Sequence, residues 1–527
     1  MNWFYAKINE DMHWIRELSC YWNKYSAKKR LTVCFALSGG IYLAFTLFFP
    51  LYWYYADIPP LDYSKLTKYS PVGFLAYVSG ISTLFVLYLI ALRLLRKIQI
   101  NPKFVIWVGG LLALILIFSY PQTAIDLFVY AIRSRGWARY GLEPFSNAPE
   151  LIPDFDPWLG LAGEWVDAPS PYGPIWEWSS LVMYYLSGGN FLGHLVALKV
   201  LAFITYLGCA WLLTKLLRIF RPQWVVVGTA FFAWNPLVLL EGVQNAHNDL
   251  LMVFFFLLSL WGCLALMLGK KDKPSWVYSL VFVFAFAASV LVKFVTFLVL
   301  PFLISGLVIQ EKTWPRRFFV GLGYLLIILS IVVLGMALYW PGIEQGAVLS
   351  SGDTAGRSLT ALMVLALRPQ HGTNQAFEYT HWMIYGLFAG IYMWNVWRVV
   401  HPLFRRNKEK ETYNQQDIIK KILLSSFSVF FGYTLFVAST FHAWYLLWFF
   451  PLGALLIGEI RLVRATWVFS FVSLLLVSYY ETIRVWVPYL LRNHLVGHLV
   501  GVALLMIPTL LAFSSDQDRE LSVFKIT

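Results

Sequence analysis

Stretches of apolar residues recur along this chain between residues 31 and 513, and shorter polar segments separate them. A membrane-spanning helix needs roughly 20 apolar residues to cross a hydrocarbon core of about 30 Å. The predicted spans are 31–54, 72–95, 104–120, 191–216, 224–243, 249–268, 276–292, 294–309, 318–340, 379–398, 421–440, 443–460, 466–481 and 495–513. The pattern predicts an all-α, polytopic transmembrane protein with about 14 helices, within a range of roughly 12 to 14. Several spans are short, which leaves open that neighbouring pairs dip in from the outer face.

A single transmembrane domain, residues 31–513, makes up nearly all of the chain, with short cytoplasmic segments 1–30 and 514–527 at its ends. The first segment lacks the apolar core of a signal peptide. Its apolar residues recur at helical spacing, which favours an amphipathic helix on the inner membrane surface, with a disordered polar tail as the alternative. We find no internal repeat, which argues against transporter architectures built by duplication.

Two predicted loops are unusually long, residues 121–190 and residues 341–378. The first is rich in Pro, Trp and acidic residues, and the second contains Gly-Asp-Thr-Ala-Gly-Arg at 352–357. Long loops without secondary structure in a compact protein usually carry function. Within the first loop, residues 175–186 are amphipathic enough to form a helix resting on the outer leaflet.

The composition agrees with a membrane protein, since only 13% of the 527 residues are charged, whereas soluble proteins carry roughly a quarter. The net charge of +13 comes from 41 Lys and Arg against 28 Asp and Glu. The basic residues concentrate in the connections 28–30, 93–103, 215–221, 270–273, 312–317, 398–421 and 461–464. This positive-inside pattern predicts a multi-pass protein of the cell membrane (plasma or inner), with both termini cytoplasmic and the long loops extracytoplasmic. It also argues against nucleic acid as the partner of the basic charge.

Ionisable residues at membrane depth are costly and point to function, and the first lies at the outer end of the third span. Asp126 is followed by Tyr130 and Arg133 at helical spacing. A carboxylate in this setting is a candidate general base that accepts a proton from a sugar hydroxyl. The alternative is that Asp126 caps a helix that starts after Pro121.

A second polar cluster, residues 244–249, bridges two strongly apolar predicted helices at the outer surface. Its candidate substrate-binding residues are Asn245, His247, Asn248 and Asp249. A tight turn needs polar residues, and Asp249 is placed to cap the following helix. The cluster nevertheless offers more hydrogen-bonding groups than a turn requires, which favours recognition of a polyhydroxylated ligand.

Two cationic side chains and one aromatic turn complete the candidate site. Lys293 lies deep in an apolar stretch, where its charge needs a partner such as the phosphate of a lipid carrier; the alternative is snorkelling to lipid headgroups. Arg357 is a weaker candidate for binding the phosphate of the lipid carrier. His442 and Tyr445 lie at an outer turn, where aromatic rings either stack on a sugar or form an ordinary interfacial belt.

Other chemistries lack their motifs in this sequence. We find no glycine-rich phosphate loop, zinc-ligand spacing or nucleophile elbow, which argues against chemistry driven by cytoplasmic ATP. The four cysteines, Cys20, Cys34, Cys209 and Cys263, show no metal-ligand spacing, so we expect neither a disulfide framework nor a cysteine metal site.

Several short motifs occur in a fixed order between residues 104 and 455. They are Asp126-Leu-Phe-Val-Tyr130, Gly141-Leu-Glu-Pro-Phe145, Pro171-Tyr-Gly-Pro174, Asn235-Pro236 with His247-Asn-Asp249, Lys293, and Trp444-Tyr-Leu-Leu-Trp448 ahead of Pro451. In this combination the chain resembles the polyprenol-phosphomannose-dependent α-1,6-mannosyltransferases of the C-type glycosyltransferase (GT-C) superfamily. The His-Asn-Asp turn and the Pro-Tyr-Gly-Pro segment are the most specific of these motifs.

The resemblance implies a GT-C-like fold and an inverting transfer of mannose from polyprenyl-phosphate mannose to a glycan or glycolipid acceptor, within cell-envelope glycan synthesis. It implies Asp126 as the general base, Lys293 as a contact of the donor phosphate, and residues 245–249 with Tyr172 and Gly173 as the sugar or acceptor pocket. A phosphate leaves without a metal if a cation neutralises it, so we expect no cofactor and no obligatory metal ion.

Two other classes of function remain as alternatives. One is a transporter or flippase for lipid-linked sugars, and the other is an inactive scaffold subunit with the same fold. Transporters bind near the bilayer midplane, whereas the polar residues of this chain gather at the outer ends of spans, which favours an enzyme.

Overall fold

The computed structural model describes residues 25–339, 356–405 and 414–514, and within these ranges the secondary structure is helical, without strands. The α-helices up to residue 267 are Ala27–Phe48, Leu51–Tyr54, Tyr63–Leu66, Pro71–Leu95, Pro102–Ile117, Asp126–Tyr140, Pro174–Leu186, Phe191–Phe220, Val225–Ala233 and Asp249–Met267. Those that follow are Ser275–Val292, Leu300–Val308, Trp314–Ala337, Leu359–Arg405, Gln415–Gly432, Phe450–Leu455, Ile460–Ser478, Arg484–Trp486, Pro488–Arg492 and His494–Ser514.

Tighter and wider helical turns join these elements. The 3₁₀ helices are Pro149–Leu151, Leu159–Trp165, Pro222–Trp224, Phe294–Val299 and Ala443–Trp448. The π-helical turns are Val238–Gln244, Tyr433–Val437 and Tyr479–Ile483. The longest helix, Leu359–Arg405, is broken at Gly372, whose φ of 74° is a left-handed conformation that glycine adopts without steric cost.

The prediction of an all-α polytopic membrane protein is confirmed. In the described part of the chain, nine helices are long and apolar enough to cross a membrane, and the pair Pro222–Ala233 and Val238–Gln244, bent by 56°, would be a tenth. Three predicted spans fall on shorter apolar helices, Pro102–Ile117, Phe294–Val308 and Ala443–Leu455. All of the predicted spans therefore fall on helices, but fewer than 14 of those helices are long enough for a full crossing.

Polar caps define where several of these helices begin. The Ser70 hydroxyl accepts a hydrogen bond from the Gly73 amide at 3.0 Å, and the Asn190 side chain accepts one from the Gly193 amide at 2.8 Å. Each cap satisfies an amide that has no partner inside the helix, which matters most where water is scarce. Short polar residues in the connections therefore fix where the apolar segments start.

The helix Asp249–Met267 is at the centre of the bundle and packs along the helix Ser275–Val292. About two thirds of its apolar stretch (67%) is buried, against 6% for the helix Trp314–Ala337, which therefore lies at the periphery. The central helix begins at Asp249 and its neighbour ends one residue before Lys293. Both candidate residues thus come to the same end of the bundle.

The prediction of a structureless loop over residues 121–190 is wrong. Most of this segment is folded, with the helix Asp126–Tyr140 largely buried and the helix Pro174–Leu186 at its end. Arg133 donates to the carbonyls of Ala168 and Pro169, at 3.0 and 3.1 Å. These long-range contacts give the polar face of the first helix its partners, which local sequence cannot reveal. The helix expected over 175–186 is present.

The second predicted loop, 341–378, is also partly helical, because the helix Leu359–Arg405 begins within it. Residues 340–355, including most of the segment 352–357, lie outside the described residues, as do 1–24 and 515–527 of the predicted terminal segments. Among the described cysteines, Cys34, Cys209 and Cys263 are buried and form no disulfide.

Candidate active site

Asp126 is the first residue of the helix Asp126–Tyr140, and its carboxylate is only partly buried. It does not cap that helix, since the cap position belongs to Ile125, which makes no side-chain cap. Its Oδ1 instead accepts hydrogen bonds from the Tyr172 hydroxyl at 3.2 Å and, more weakly, from the Tyr130 hydroxyl at 3.5 Å. The helix-cap alternative is therefore wrong, and two phenols orient an accessible carboxylate.

Tyr172 remains a neutral hydrogen-bond donor at physiological pH. Burial, together with the negative charge of Asp126, raises the pKa of its phenol well above the ordinary value. Its ring also packs edge-on against Tyr130, with centroids 5.5 Å apart. The phenol therefore stays protonated while it holds the Asp126 carboxylate in place.

Gly173 brings this tyrosine against the end of the helix Ser275–Val292. Its amide donates to the Val292 carbonyl at 3.0 Å. A Cβ at this position would overlap the carbonyl oxygen of Leu291, so the close approach of the two backbones requires glycine. The approach places the ammonium of Lys293 5.7 Å from the centre of the Tyr172 ring.

Lys293 has a carboxylate partner within the protein. Its Nζ donates to Asp249 Oδ1 at 2.8 Å, and its side chain is 17% exposed while that of Asp249 is fully buried. Trp448 Nε1 donates to the same oxygen. The alternative of snorkelling to headgroups is therefore wrong, because a buried charge finds a better partner in Asp249. An ammonium carries three donors, so this contact leaves donors for a further ligand.

Aromatic rings surround the Lys293 ammonium. The ring centres of Tyr445 and Trp448 lie 5.1 and 5.3 Å from Nζ, and these two rings stack on each other at 4.4 Å. Contacts of this kind hold a cation without neutralising it. We name the whole group the Asp126 cluster, which consists of Asp126, Tyr130, Tyr172, Asp249, Lys293, Tyr445 and Trp448.

The turn at residues 245–249 offers buried polar atoms that have no hydrogen-bond partner among the described residues. These atoms are Asn245 Oδ1, His247 Nδ1 and Nε2, Asn248 Nδ2 and Oδ1, and Asp249 Oδ2. The turn passes through Ala246 in a left-handed conformation, with φ 55°. Asn248 occupies the cap position of the next helix without a side-chain cap, so the alternative that Asp249 caps this helix is wrong. Unpaired buried polar atoms are costly, which indicates a polar ligand here.

Glu241 was missed by the sequence analysis. It lies in the π-helical turn Val238–Gln244 and is buried. Its carboxylate accepts from Thr123 Oγ1 at 3.0 Å and from Asn245 Nδ2 at 2.8 Å, and it lies 3.2 Å from His247 Nε2. Glu241 therefore holds the turn at 245–249. The only signal in the sequence was a single acid inside an otherwise apolar predicted span.

His442 lies beside this turn through a stack of rings. Trp444 stacks on His247 at 4.0 Å and on His442 at 4.2 Å. Burial, helped by the positive charges of Arg357, His247 and Lys293, lowers the pKa of His442 well below its ordinary value. The His442 imidazole is therefore neutral at physiological pH and does not compete with Lys293 for an anion.

Two predicted binding residues, Arg133 and Arg357, have their partners outside both the Asp126 cluster and the turn at residues 245–249. Arg133 is committed to the loop carbonyls at Ala168 and Pro169. Arg357 pairs with Glu481 and lies 5.3 Å from the centre of the Tyr480 ring. Arg357 instead lines a neighbouring cleft, which Thr123, Glu241, His442 and Trp444 also line.

The remaining predicted residues come together from distant parts of the chain. Asp126 and Lys293 are joined through Tyr172, and Lys293 joins Asp249 and Tyr445. Over the described ranges, no three His, Cys, Asp or Glu side chains are grouped in a way that could hold a metal ion. The arrangement provides one accessible carboxylate, that of Asp126, and one ammonium, that of Lys293, and each lies next to the Tyr172 side chain.

Comparison with known proteins finds a similarity to one family of glycosyltransferases. Residues 55–309 match the family model described as "Alpha-(1->6)-mannopyranosyltransferase, N-terminal domain". Over that region, just under half of its length, the chain is similar to this family. Asp126, Tyr172, Asp249 and Lys293 lie within it, whereas Arg357, His442 and Tyr445 lie beyond it.

Curated relatives carry the same description. The chain is 23% identical over 283 residues to alpha-(1->6)-mannopyranosyltransferase B of Corynebacterium glutamicum, covering 50% of this chain and 44% of the relative. It is 25% identical over 141 residues to alpha-(1->6)-mannopyranosyltransferase A of the same organism, covering 26% of this chain and 28% of that relative. A probable alpha-(1->6)-mannopyranosyltransferase of Mycolicibacterium smegmatis is 24% identical to this chain over 169 residues, which cover 32% of this chain and 29% of that relative.

These matches are partial. The chain spans less than half the length of each of these curated relatives. No solved structure is significantly similar to the chain.

Proposed function

We propose that this protein is an inverting mannosyltransferase that moves mannose from polyprenyl-phosphate mannose to a hydroxyl of a glycan or glycolipid acceptor. The observation that carries the proposal is the Asp126 cluster, in which an accessible carboxylate and a held ammonium both lie next to Tyr172, within the region similar to the mannosyltransferase family. Inverting transfer needs those two groups, one for the acceptor proton and one for the departing phosphate.

Asp126 is the general base of the proposed reaction. The acceptor oxygen attacks C1 of mannose, its proton passes to the Asp126 carboxylate, and the bond from C1 to the phosphate oxygen breaks. Tyr130 and Tyr172 orient the carboxylate from one side, and its partial exposure leaves room for an acceptor hydroxyl. A base must lie within hydrogen-bond reach of the proton it accepts, and orientation by fixed donors makes that geometry reproducible.

Lys293 binds the phosphate of the donor and of the leaving polyprenyl phosphate. Asp249 and Trp448 hold the lysine in place, and its remaining ammonium donors face the phosphate. A charge-assisted hydrogen bond to the phosphate stabilises the negative charge that develops as the bond breaks. No metal ion and no cofactor is required in this scheme.

The turn at residues 245–249 and the neighbouring cleft bind the sugars. Buried atoms of His247 and Asn248 that lack protein partners suit mannose hydroxyls. Arg357 and His442 line the cleft next to Glu241, which is the place for the acceptor. Buried polar atoms built for a hydroxyl discriminate strongly against ligands without one.

We also propose that the site faces the extracytoplasmic side of the cell membrane. The basic connection 270–273, which is predicted to be cytoplasmic, lies at the opposite end of the bundle from the cluster, because it follows the helix Asp249–Met267 and precedes the helix Ser275–Val292. A donor that is anchored in the membrane by its polyprenyl chain would reach the site within the outer leaflet.

The test is transfer by the purified full chain in proteoliposomes. Polyprenyl-phosphate [¹⁴C]mannose is supplied with an α-mannoside oligosaccharide, and GDP-[¹⁴C]mannose serves as the control donor. We expect labelled oligosaccharide from the lipid donor alone, with inverted configuration at C1 by NMR. Movement of the lipid donor across the bilayer without glycoside formation would contradict the proposal and support a flippase.

A further inference from the structure

Lys199 is a buried lysine that the proposed mechanism does not use. It lies in the first half of the helix Phe191–Phe220 and is fully buried. Its Nζ donates to the carbonyls of Leu116 at 3.2 Å and Ser119 at 2.7 Å, and also to the carbonyl of Gln244. An ammonium has three N–H donors, so these three carbonyls use all of them. Lys199 therefore has no donor left for a phosphate or a sugar.

The carbonyls that Lys199 binds belong to the ends of two helical elements. Leu116 and Ser119 lie at the C-terminal end of the helix Pro102–Ile117, one inside it and one just beyond it. Gln244 is the last residue of its π-helical turn. The last carbonyls of a helix have no partner within it and carry partial negative charge. Because no water is at hand in a membrane interior, one buried ammonium satisfies both ends and holds them together.

The side chain of Gln244 reinforces this join. Its Nε2 donates to Ser119 Oγ at 2.7 Å and to the Tyr120 carbonyl at 3.3 Å. Further along the same two segments, Asn245 Nδ2 donates to Thr123 Oγ1. The two segments are thus held side by side over several residues, with the buried ammonium at the helix ends.

The two joined segments carry different parts of the proposed active site. One leads from Ser119 to Asp126, the proposed base, and the other continues into the turn at residues 245–249, the proposed sugar-binding turn. We propose that Lys199 is a positioning residue for mannose transfer, which fixes the distance between Asp126 and that turn without contacting either substrate. This role rests on the proposed function, since it concerns the alignment of that reaction.

Loosening the join should affect the acceptor more than water. A misplacement of about 1 Å can cost on the order of 10²-fold in a reaction that depends on alignment. A glycan acceptor must meet both Asp126 and the bound mannose, whereas a water molecule is small enough to adjust its position. Transfer should therefore fall further than hydrolysis of the donor to free mannose and polyprenyl phosphate. The ratio of these products does not depend on how much protein is folded, so it separates positioning from stability.

The test measures the ratio of free mannose to glycoside, with the lipid donor and the α-mannoside acceptor in proteoliposomes of the full chain. Lys199→Met keeps the length of the side chain but removes its charge and donors, and we expect the ratio to rise by roughly tenfold. Lys215→Met, the same change at a half-buried position of the same helix, is the matched control. Tyr206→Phe removes a buried hydrogen bond from that helix to the Ala233 carbonyl and controls for lost stability. Both controls should keep the parent ratio.

Hydrogen–deuterium exchange tests the join without any activity. We expect the backbone amides of residues 119–126 and 244–249 to exchange faster in Lys199→Met than in the parent, because both segments lose their common anchor. Gln244→Met leaves the ammonium in place and removes only the side-chain contacts, so it should change exchange and product ratio in the same direction by less. It also carries the test if Lys199→Met does not fold.

Three results would overturn the positioning role while the parent transfers mannose. They are an unchanged product ratio in the Lys199→Met and Gln244→Met variants, an equal rise of that ratio in Tyr206→Phe, and unchanged exchange in both segments. The proposed function would stand in each case. A parent that forms neither free mannose nor glycoside contradicts the proposed function itself, and the positioning role falls with it.

Discussion

The two ends of the helix bundle use ion pairs in different ways. In the Asp126 cluster, Lys293 pairs with a fully buried Asp249, and six buried atoms of the turn at residues 245–249 lack hydrogen-bond partners among the described residues. At the basic end, Glu459 pairs with Arg221 and Lys420, and its side chain remains 30% exposed. Burying an ion pair costs much free energy because both charges lose their water. An exposed ion pair costs little free energy to form and contributes little to the stability of the protein. Only the first arrangement needs a function to account for it.

The largest effect is expected at the accessible carboxylate of the cluster. Asp126→Asn keeps the shape and most hydrogen bonds but cannot accept a proton. We expect transfer to fall by about 10² to 10⁴-fold, the usual contribution of a positioned general base. The measurement is initial rate of mannose transfer in proteoliposomes, with thermal unfolding as the check on folding. Asp167→Asn, an exposed carboxylate in the same segment, is the control and should transfer normally.

A second prediction separates the buried pair from the exposed one. Lys293→Gln leaves Asp249 buried without its cation, and breaking such a pair costs about 3–5 kcal/mol of the free energy of unfolding. The double variant Lys293→Gln/Asp249→Asn should recover much of that loss and remain inactive. Lys420→Gln at the basic end should change the free energy of unfolding by less than about 1 kcal/mol. A double variant as unstable as Lys293→Gln would show that the two charges are not coupled.

Gly173→Ala tests how the cluster is assembled. The added Cβ meets the Leu291 carbonyl oxygen, so either the Tyr172 segment or the end of the helix Ser275–Val292 must move. We expect a loss of about 1–3 kcal/mol in the free energy of unfolding, together with reduced transfer, because Tyr172 and Lys293 separate. The control is Gly323→Ala, where a Cβ meets no atom within 4 Å. Normal transfer by Gly173→Ala would mean that the close backbone contact is dispensable.

The smallest effect is a pH dependence at the basic end. The ion pairs of Glu459 lower its pKa in the folded protein below the pKa of about 4.3 that a glutamate has in the unfolded chain. These pairs therefore stabilise the protein at a pH above about 4.3, and this stabilisation is lost as the pH falls through the pKa of the folded state. Between about pH 6 and about pH 4, the thermal midpoint of the parent should therefore fall slightly more than that of Glu459→Gln. Identical midpoint shifts would mean that Glu459 adds nothing to stability.

Residues that interrupt apolar runs could be predicted from sequence. Asp126, Asp249 and Lys293 are conspicuous because a charge at membrane depth is costly, and the structure brings them together. Their partners could not be predicted in the same way. Lys293 was predicted to bind a phosphate and Asp249 to bind substrate, with snorkelling and helix capping as the alternatives. Neither prediction included the pair that the two residues form with each other across 44 residues of sequence.

The misses have a common physical cause, which is tertiary contact between segments that look unrelated in sequence. Glu241 looked like one acid in an apolar span until the π-helical turn and its contacts to Thr123 and Asn245 were seen. Arg133 was predicted to bind substrate, but it satisfies loop carbonyls. Periodicity identifies helices because it is local, and it carries no information on which loop returns to which helix.

The position of the donor phosphate tests the central claim most directly. The measurement is a cryo-EM map of the full chain with a non-hydrolysable polyprenyl-phosphonate mannose analogue bound. We predict a phosphonate oxygen within about 3 Å of Lys293 Nζ, with C1 of the mannose facing the Asp126 carboxylate. A phosphonate held by Arg221 and Lys420, at the basic end of the bundle, would contradict the assignment of the Asp126 cluster as the active site.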